Sequence, residues 1–173
     1  MKHIEDTPWW ICDPEETNYC TYSDTDSIYM HAEPLLRFRH NNFDEMNAEE
    51  KDDALETIAM EYENVVTKSY DKLAKDVFRS DEHRLEMKTE CVIRSAYFRA
   101  TRRYAQWITK QEGIKKETLD VKGLEFKKAN FPPVLGKFFK NALVDVLKGA
   151  TQTEIDDRLK IFKKQILDGS IPL

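Results

Sequence analysis

The sequence predicts an α+β fold: an antiparallel sheet with one long packed helix, followed by a helical C-terminal part. Three observations carry this. Two β-prone stretches flank an Asp-Thr-Asp turn at residues 24–26. An apolar rhythm of i, i+3/i+4, i+7 runs through residues 47–78. Two further helical stripes follow the adjacent prolines Pro132 and Pro133.

The elements follow in order. Residues 19–31 read as a β-hairpin, with Tyr, Cys and Thr leading in, Ser, Ile, Tyr and Met leading out, and Pro34 ending the second strand. Residues 47–78 read as one helix whose stripe is Leu55, Ile58, Ala59, Tyr62, Val65, Val66, Ser69, Leu73 and Val77. Asn47 suits an N-cap, Glu50 completes a capping-box pattern, and Glu49, Glu50, Asp52 and Asp53 fall where the helix dipole favours acids. Leu85, Met87 and Thr89 alternate with polar residues as in a strand, and residues 97–108 read as a second strand region. A turn spans residues 110–116 around Gly113, and residues 118–126 read as a short strand with Gly123 as a bulge. Pro133 opens a helix with Val134, Phe138, Ala142, Leu143, Val146 and Leu147 on its apolar face and Gly149 as its stop. Thr153 is the expected cap of a last helix striped by Ile155, Leu159, Phe162 and Ile166.

Composition narrows the function classes. With 40% hydrophobic and 34% charged residues, the chain belongs with soluble globular proteins and not with disordered ones. No stretch reaches the roughly 18–20 apolar residues of a membrane span, and the acidic start shows no secretory signal. Cys12, Cys20 and Cys91 follow no metal spacing, which fits reduced thiols and a cytoplasmic setting. The net charge of −5 is unevenly spread: residues 1–78 carry −12 and residues 79–150 carry +7. A basic middle permits polyanion binding on one part of the surface, though ordinary solvated faces would produce the same count.

The Asp-Thr-Asp turn is the first candidate site. In a strand, residues i and i+2 point to one face, so Asp24 and Asp26 at a tight tip can both reach one side. Hard cations such as Mg²⁺ take oxygen ligands, often one or two carboxylates plus substrate phosphates. On the local pattern alone an acidic turn without a metal is the better fit.

The string Tyr22-Ser23-Asp24-Thr25-Asp26-Ser27 resembles the Y-G-D-T-D-S signature, motif C, of family B DNA polymerases, with Ser23 in place of Gly. Downstream, Thr101-Arg102-Arg103-Tyr104 is similar to the K-K-R-Y segment of that family. "LDVKGLEF" resembles the strand that follows it, and the helix from Pro132 resembles the start of the thumb. The resemblance covers residues 19–167 and implies two parts: residues 1–128 as the C-terminal part of the polymerase palm, and 129–173 as the start of a truncated thumb. It implies DNA-directed nucleotidyl transfer with two Mg²⁺ ions, Asp26 as metal ligand and Asp24 as accessory carboxylate. Tyr22, Thr25 and Ser27 would support the turn, and Arg102, Arg103, Tyr104 and Lys122 would hold the primer–template duplex. Glu86 matches an acidic strand position near the metals of relatives, but Lys88 replaces the second acid there.

The family's motif A (D-x-x-S-L-Y-P) and motif B (K-x-x-x-N-S-x-Y-G) are not found in these residues, nor is an exonuclease region. The expectation is therefore a polymerase fragment or split chain, inactive alone. Its partners would be primer–template DNA, dNTP and an upstream polymerase half. A non-catalytic nucleic-acid-binding accessory chain is the alternative. A D-x-D nucleotide-sugar transferase is a further one, although only about 18 residues precede the hairpin, too few for a nucleotide-binding half. Trp9 and Trp10 suit either a partner patch or core packing. The four histidines suggest surface or structural roles, Cys20 reads as a small packed residue and not a nucleophile, and Lys127 and Lys128 suit phosphate contacts or a solvated pair.

Overall fold

A computed structural model describes residues 19–171, and the chain divides into two compact units at Glu90 and Cys91. Trp9, Trp10, Cys12 and His3 lie outside the described residues. The architecture is α+β, with antiparallel sheets and one long helix.

In the first unit, β1 (Cys20–Asp24) and β2 (Ser27–Met30) form a two-stranded antiparallel hairpin, closed by the Asp24–Ser27 pair. Pro34 does not simply end β2; it sits in the first turn of α1 (Glu33–Arg39). Its locked φ suits a helix start, where a missing N–H costs nothing. Leu35 and Leu36 on α1 are buried against Phe43 and Ile58, forming a small core. The Arg37 guanidinium and the Lys51 ammonium lie 4.2 and 4.5 Å from the Phe43 ring centroid.

The long helix α2 (Ala48–Leu73) begins where expected. Asn47 Oδ1 accepts from the N–H of Glu49 and Glu50, and Glu50 Oε2 accepts from the Asn47 N–H at 2.7 Å. A π-turn (Ala74–Phe78) continues it, and Arg79 with φ 53° ends it. The apolar stripe is buried only toward the N-terminal half: Ile58 is covered, but Leu73 and Val77 are exposed.

Residues 81–90 are not the expected strand; they carry no regular structure. Their alternating pattern is real, but the backbone bonds to α2 side chains instead of a neighbouring strand. The Met87 N–H donates to Thr67 Oγ1 (3.3 Å) and the Thr89 N–H to Glu63 Oε2 (2.8 Å). His83 Nε2 lies 3.0 Å from Asp71 Oδ1, while the Leu85 N–H donates to His83 Nδ1. Side chains thus meet the backbone demand that a sheet ladder would otherwise meet.

The second unit is a meander of β3 (Cys91–Ala100), β4 (Arg103–Gln111) and β5 (Ile114–Lys122). The strand region expected over 97–108 is divided by a tight turn at Thr101 and Arg102, where Arg102 takes φ 59°. The β4–β5 turn is only Glu112 and Gly113, at φ 50° and 75°, the left-handed pair of a type I′ hairpin. Gly123 is not a bulge inside a strand; β5 ends before it, and a 3-10 turn (Glu125–Lys127) follows.

Central strand β4 is buried continuously over residues 104–109. Ala105, Trp107 and Val121 on one sheet face pack with Leu124 and with Leu147 of α3 (Pro133–Leu147). Ser95 Oγ on β3 donates to the Leu147 carbonyl, and the Lys148 ammonium lies 4.2 Å from the Trp107 ring centroid. The last helix, α4 (Gln152–Leu167), is capped by Thr151 and not Thr153: the Thr151–Glu154 capping box satisfies its first turn from both sides. Phe162 stacks on Phe138 of α3 at 4.1 Å, and Arg158 pairs with Asp145 at 2.5 Å.

Candidate functional site

The acidic hairpin tip belongs to the first unit. Thr25 occupies the first turn position with φ 55°, a left-handed conformation that costs a non-glycine residue about 1–2 kcal/mol. The residues around it hold the turn. Ser27 Oγ donates to the Asp24 carbonyl (3.1 Å), Thr25 Oγ1 to Asp24 Oδ1 (3.1 Å), and the Tyr22 hydroxyl to Asp24 Oδ2 (3.4 Å). Tyr22 in turn pairs across the strands with Tyr29, ring centroids 5.6 Å apart.

The two aspartates therefore differ. Asp24 is half-buried and both its carboxylate oxygens accept local hydroxyls. Asp26 is exposed, and its carboxylate has no hydrogen-bond or ion-pair partner among the described residues. Two hard oxygen donors at one turn are chemically suited to Mg²⁺, with most of the coordination sphere left to water, phosphate or another chain. Among the described residues, no group of three or more His, Cys, Asp and Glu side chains comes together to hold a metal. Glu86, the other predicted acidic residue, is exposed on the irregular segment after α2 and pairs with Lys88 at 3.1 Å.

The second unit gathers Arg102, Arg103, Tyr104 and Lys122 at one end of its sheet. Tyr104 and Lys122 are cross-strand partners on β4 and β5, with the Lys122 ammonium 6.0 Å from the Tyr104 ring centroid. Phe98 flanks the same ring at 5.6 Å. Tyr104 is only 4% exposed, so its ring is a packing element under the turn, while Arg102 and Lys122 are exposed.

Gly123 fixes the turn from the other side. With φ +64°, its backbone passes so close that an added Cβ would lie 2.2 Å from the Arg102 carbonyl oxygen and 3.0 Å from Arg103 Cγ. Leu124 then anchors this passage in the core, and Glu125 emerges beside Arg103, whose Nη2 donates to Glu125 Oε1. The Glu125 carboxyl is held below its ordinary value of 4.5, first by its own backbone N–H, then by Arg103, with a further pull from Arg99. Sequence reasoning assigned no role to Arg99 or Glu125. Their only signal was charge in a basic stretch, and the pairing needs the chain reversal at Gly123 to bring Glu125 back to the turn.

No known protein-family model matches the chain, and no curated protein matched it.

Proposed function

We propose that this chain is part of a family B-type DNA polymerase, supplying one metal-binding carboxylate turn and a grip on the primer–template duplex. The observation that carries the reading is the division of labour at the hairpin tip. Asp24 is spent on the local turn, and Asp26 is left exposed and without a partner among the described residues, within a Y-S-D-T-D-S string.

In this reading Asp26 is the ligand and Asp24 the residue that holds the turn, with Tyr22, Thr25 and Ser27 as supports. When bound, two Mg²⁺ ions would supply activation of a primer hydroxyl and neutralisation of a triphosphate. Asp26 and Asp24 could serve such ions in part; the remaining carboxylate must come from residues other than these. Arg102, Arg103 and Lys122 act on duplex phosphates, which position a duplex without reading its sequence, and Tyr104 braces them from beneath. The basic charge of residues 79–150 is consistent with this half of the task.

Reconstitution tests the reading. The purified chain is mixed with a polymerase half bearing motifs A and B, and Mg²⁺-dependent primer extension and duplex retention are both measured. The expectation is no extension by the chain alone and extension by the mixture. Asp26→Asn should abolish extension while leaving duplex retention unchanged. Extension by the chain alone, or unaltered extension with Asp26→Asn, contradicts the proposal; the second outcome favours a non-catalytic nucleic-acid-binding chain.

A further inference from the structure

The basic turn carries an acid at its centre. Arg103 offers its planar edge, the Nε–H and Nη2–H pair that binds carboxylates and phosphates side-on. Glu125 takes the Nη2 end of that edge. The Nε–H beside it is shielded from water and has no hydrogen-bond partner among the described residues. The edge is therefore covered but only half used. Arg99 lies near enough to act on the Glu125 charge, and Arg102 and Lys122 are exposed around it. Glu125 itself remains half-exposed, with 50% of its side chain accessible, so it is free to swing away.

Resting on the duplex-grip reading above, we propose that Glu125 is a resident carboxylate in the phosphate seat of Arg103, which a DNA backbone phosphate displaces on binding. The geometry favours exchange. A phosphate oxygen pair can satisfy both Nε–H and Nη2–H, whereas Glu125 satisfies one. The displaced carboxylate goes to water, so its loss costs little. Free protein thus keeps Arg103 screened, and only a ligand presenting a doubly accepting anion at that edge recovers the unpaired donor. Glu125 then lowers affinity for isolated anions and steepens the preference for a polyphosphate backbone held by Arg102 and Lys122 at the same time.

The experiment titrates the full 173-residue chain with a short duplex DNA by fluorescence anisotropy over a salt series. It compares wild type, Glu125→Gln, Arg103→Gln and the double variant. Glu125→Gln keeps the shape and an acceptor but removes the charge. It should bind about 2- to 5-fold tighter at low salt, the size of an exposed ion pair. Its salt dependence should steepen by about one released counterion. The gain should vanish in the Arg103→Gln background. Loss of folding cannot imitate tighter binding, and an NMR reading of wild type adds a second check: the Arg103 Nε–H resonance should shift on duplex addition. Equal or weaker binding by Glu125→Gln, a gain that survives Arg103→Gln, or an unmoved Nε–H resonance overturns the proposal. If wild type binds with normal salt dependence and these tests fail, only the displacement falls. If none of the four proteins binds duplex, the grip reading falls with it.

Discussion

Replacing Gly123 by Ala places a methyl group where the chain leaving β5 presses on the Arg102 turn. Two costs follow from the geometry. The residue keeps φ near +64°, which costs an L-residue about 1–2 kcal/mol. The new Cβ would sit 2.2 Å from a backbone oxygen, not from a flexible side chain, so the turn or the 3-10 segment must shift. Forced repacking of that kind costs about 1–3 kcal/mol. The total is about 2–5 kcal/mol. Gly149 supplies an internal control: it also has positive φ, 94°, but its Cβ would meet nothing within 4 Å. Gly149→Ala should therefore lose only the conformational part, about 1–2 kcal/mol. Native-state hydrogen exchange of the β4 amides reads the second unit by itself, since sub-global openings report local stability. If Gly123→Ala costs no more than Gly149→Ala, the close approach is not a constraint, and the account of how the basic turn is held fails.

Two further predictions concern helix ends. Asn47→Ala removes the acceptor for two α2 N–H groups and should destabilise the first unit by about 0.5–2 kcal/mol, seen as faster exchange at Glu49 and Glu50 with the second unit unchanged. At α4, the Thr151 backbone N–H and then its hydroxyl pull the Glu154 carboxyl below 4.5. A depressed folded value means that this contribution is present above the unfolded value and is lost as pH falls through the folded one. Exchange in the first turn of α4 should quicken as pH drops below about 4.5, after correction for intrinsic rates, and Glu154→Gln should flatten that dependence. A first turn that stays equally protected in both proteins across that range would refute the capping role.

Elements whose signals are local were legible in the sequence. Asn47 and Glu50 announce a capping box in four residues, and α2 starts there. The prolines at 132 and 133 mark the start of α3 in the same way. Features that depend on distant partners were not legible. The turn at Thr101 and Arg102 has no Gly, Asn or Pro, and Arg102 enters the left-handed region where the chain after β5 packs against that turn. The segment at 85–89 shows strand alternation, yet its amides find α2 side chains. At the hairpin, the aspartate pair was visible and the resemblance already distinguished its members, but not which hydroxyls reach Asp24.

The two rungs that tie Met87 and Thr89 to α2 also make the two segments commensurate there. Glu63 and Thr67 are four residues apart, about 6 Å along a helix. Thr89 and Met87 step by two, about 6.6 Å along an extended chain. The two rulers agree over this short span, so the connection behaves as a toothed rack on the helix and not as slack tether. One residue inserted between Glu63 and Thr67 would turn the teeth by about 100° and disengage the rack, because each residue rotates a helix by that angle. The same insertion in the exposed β4–β5 turn would leave it meshed. Length in this part of the chain is as specified as identity.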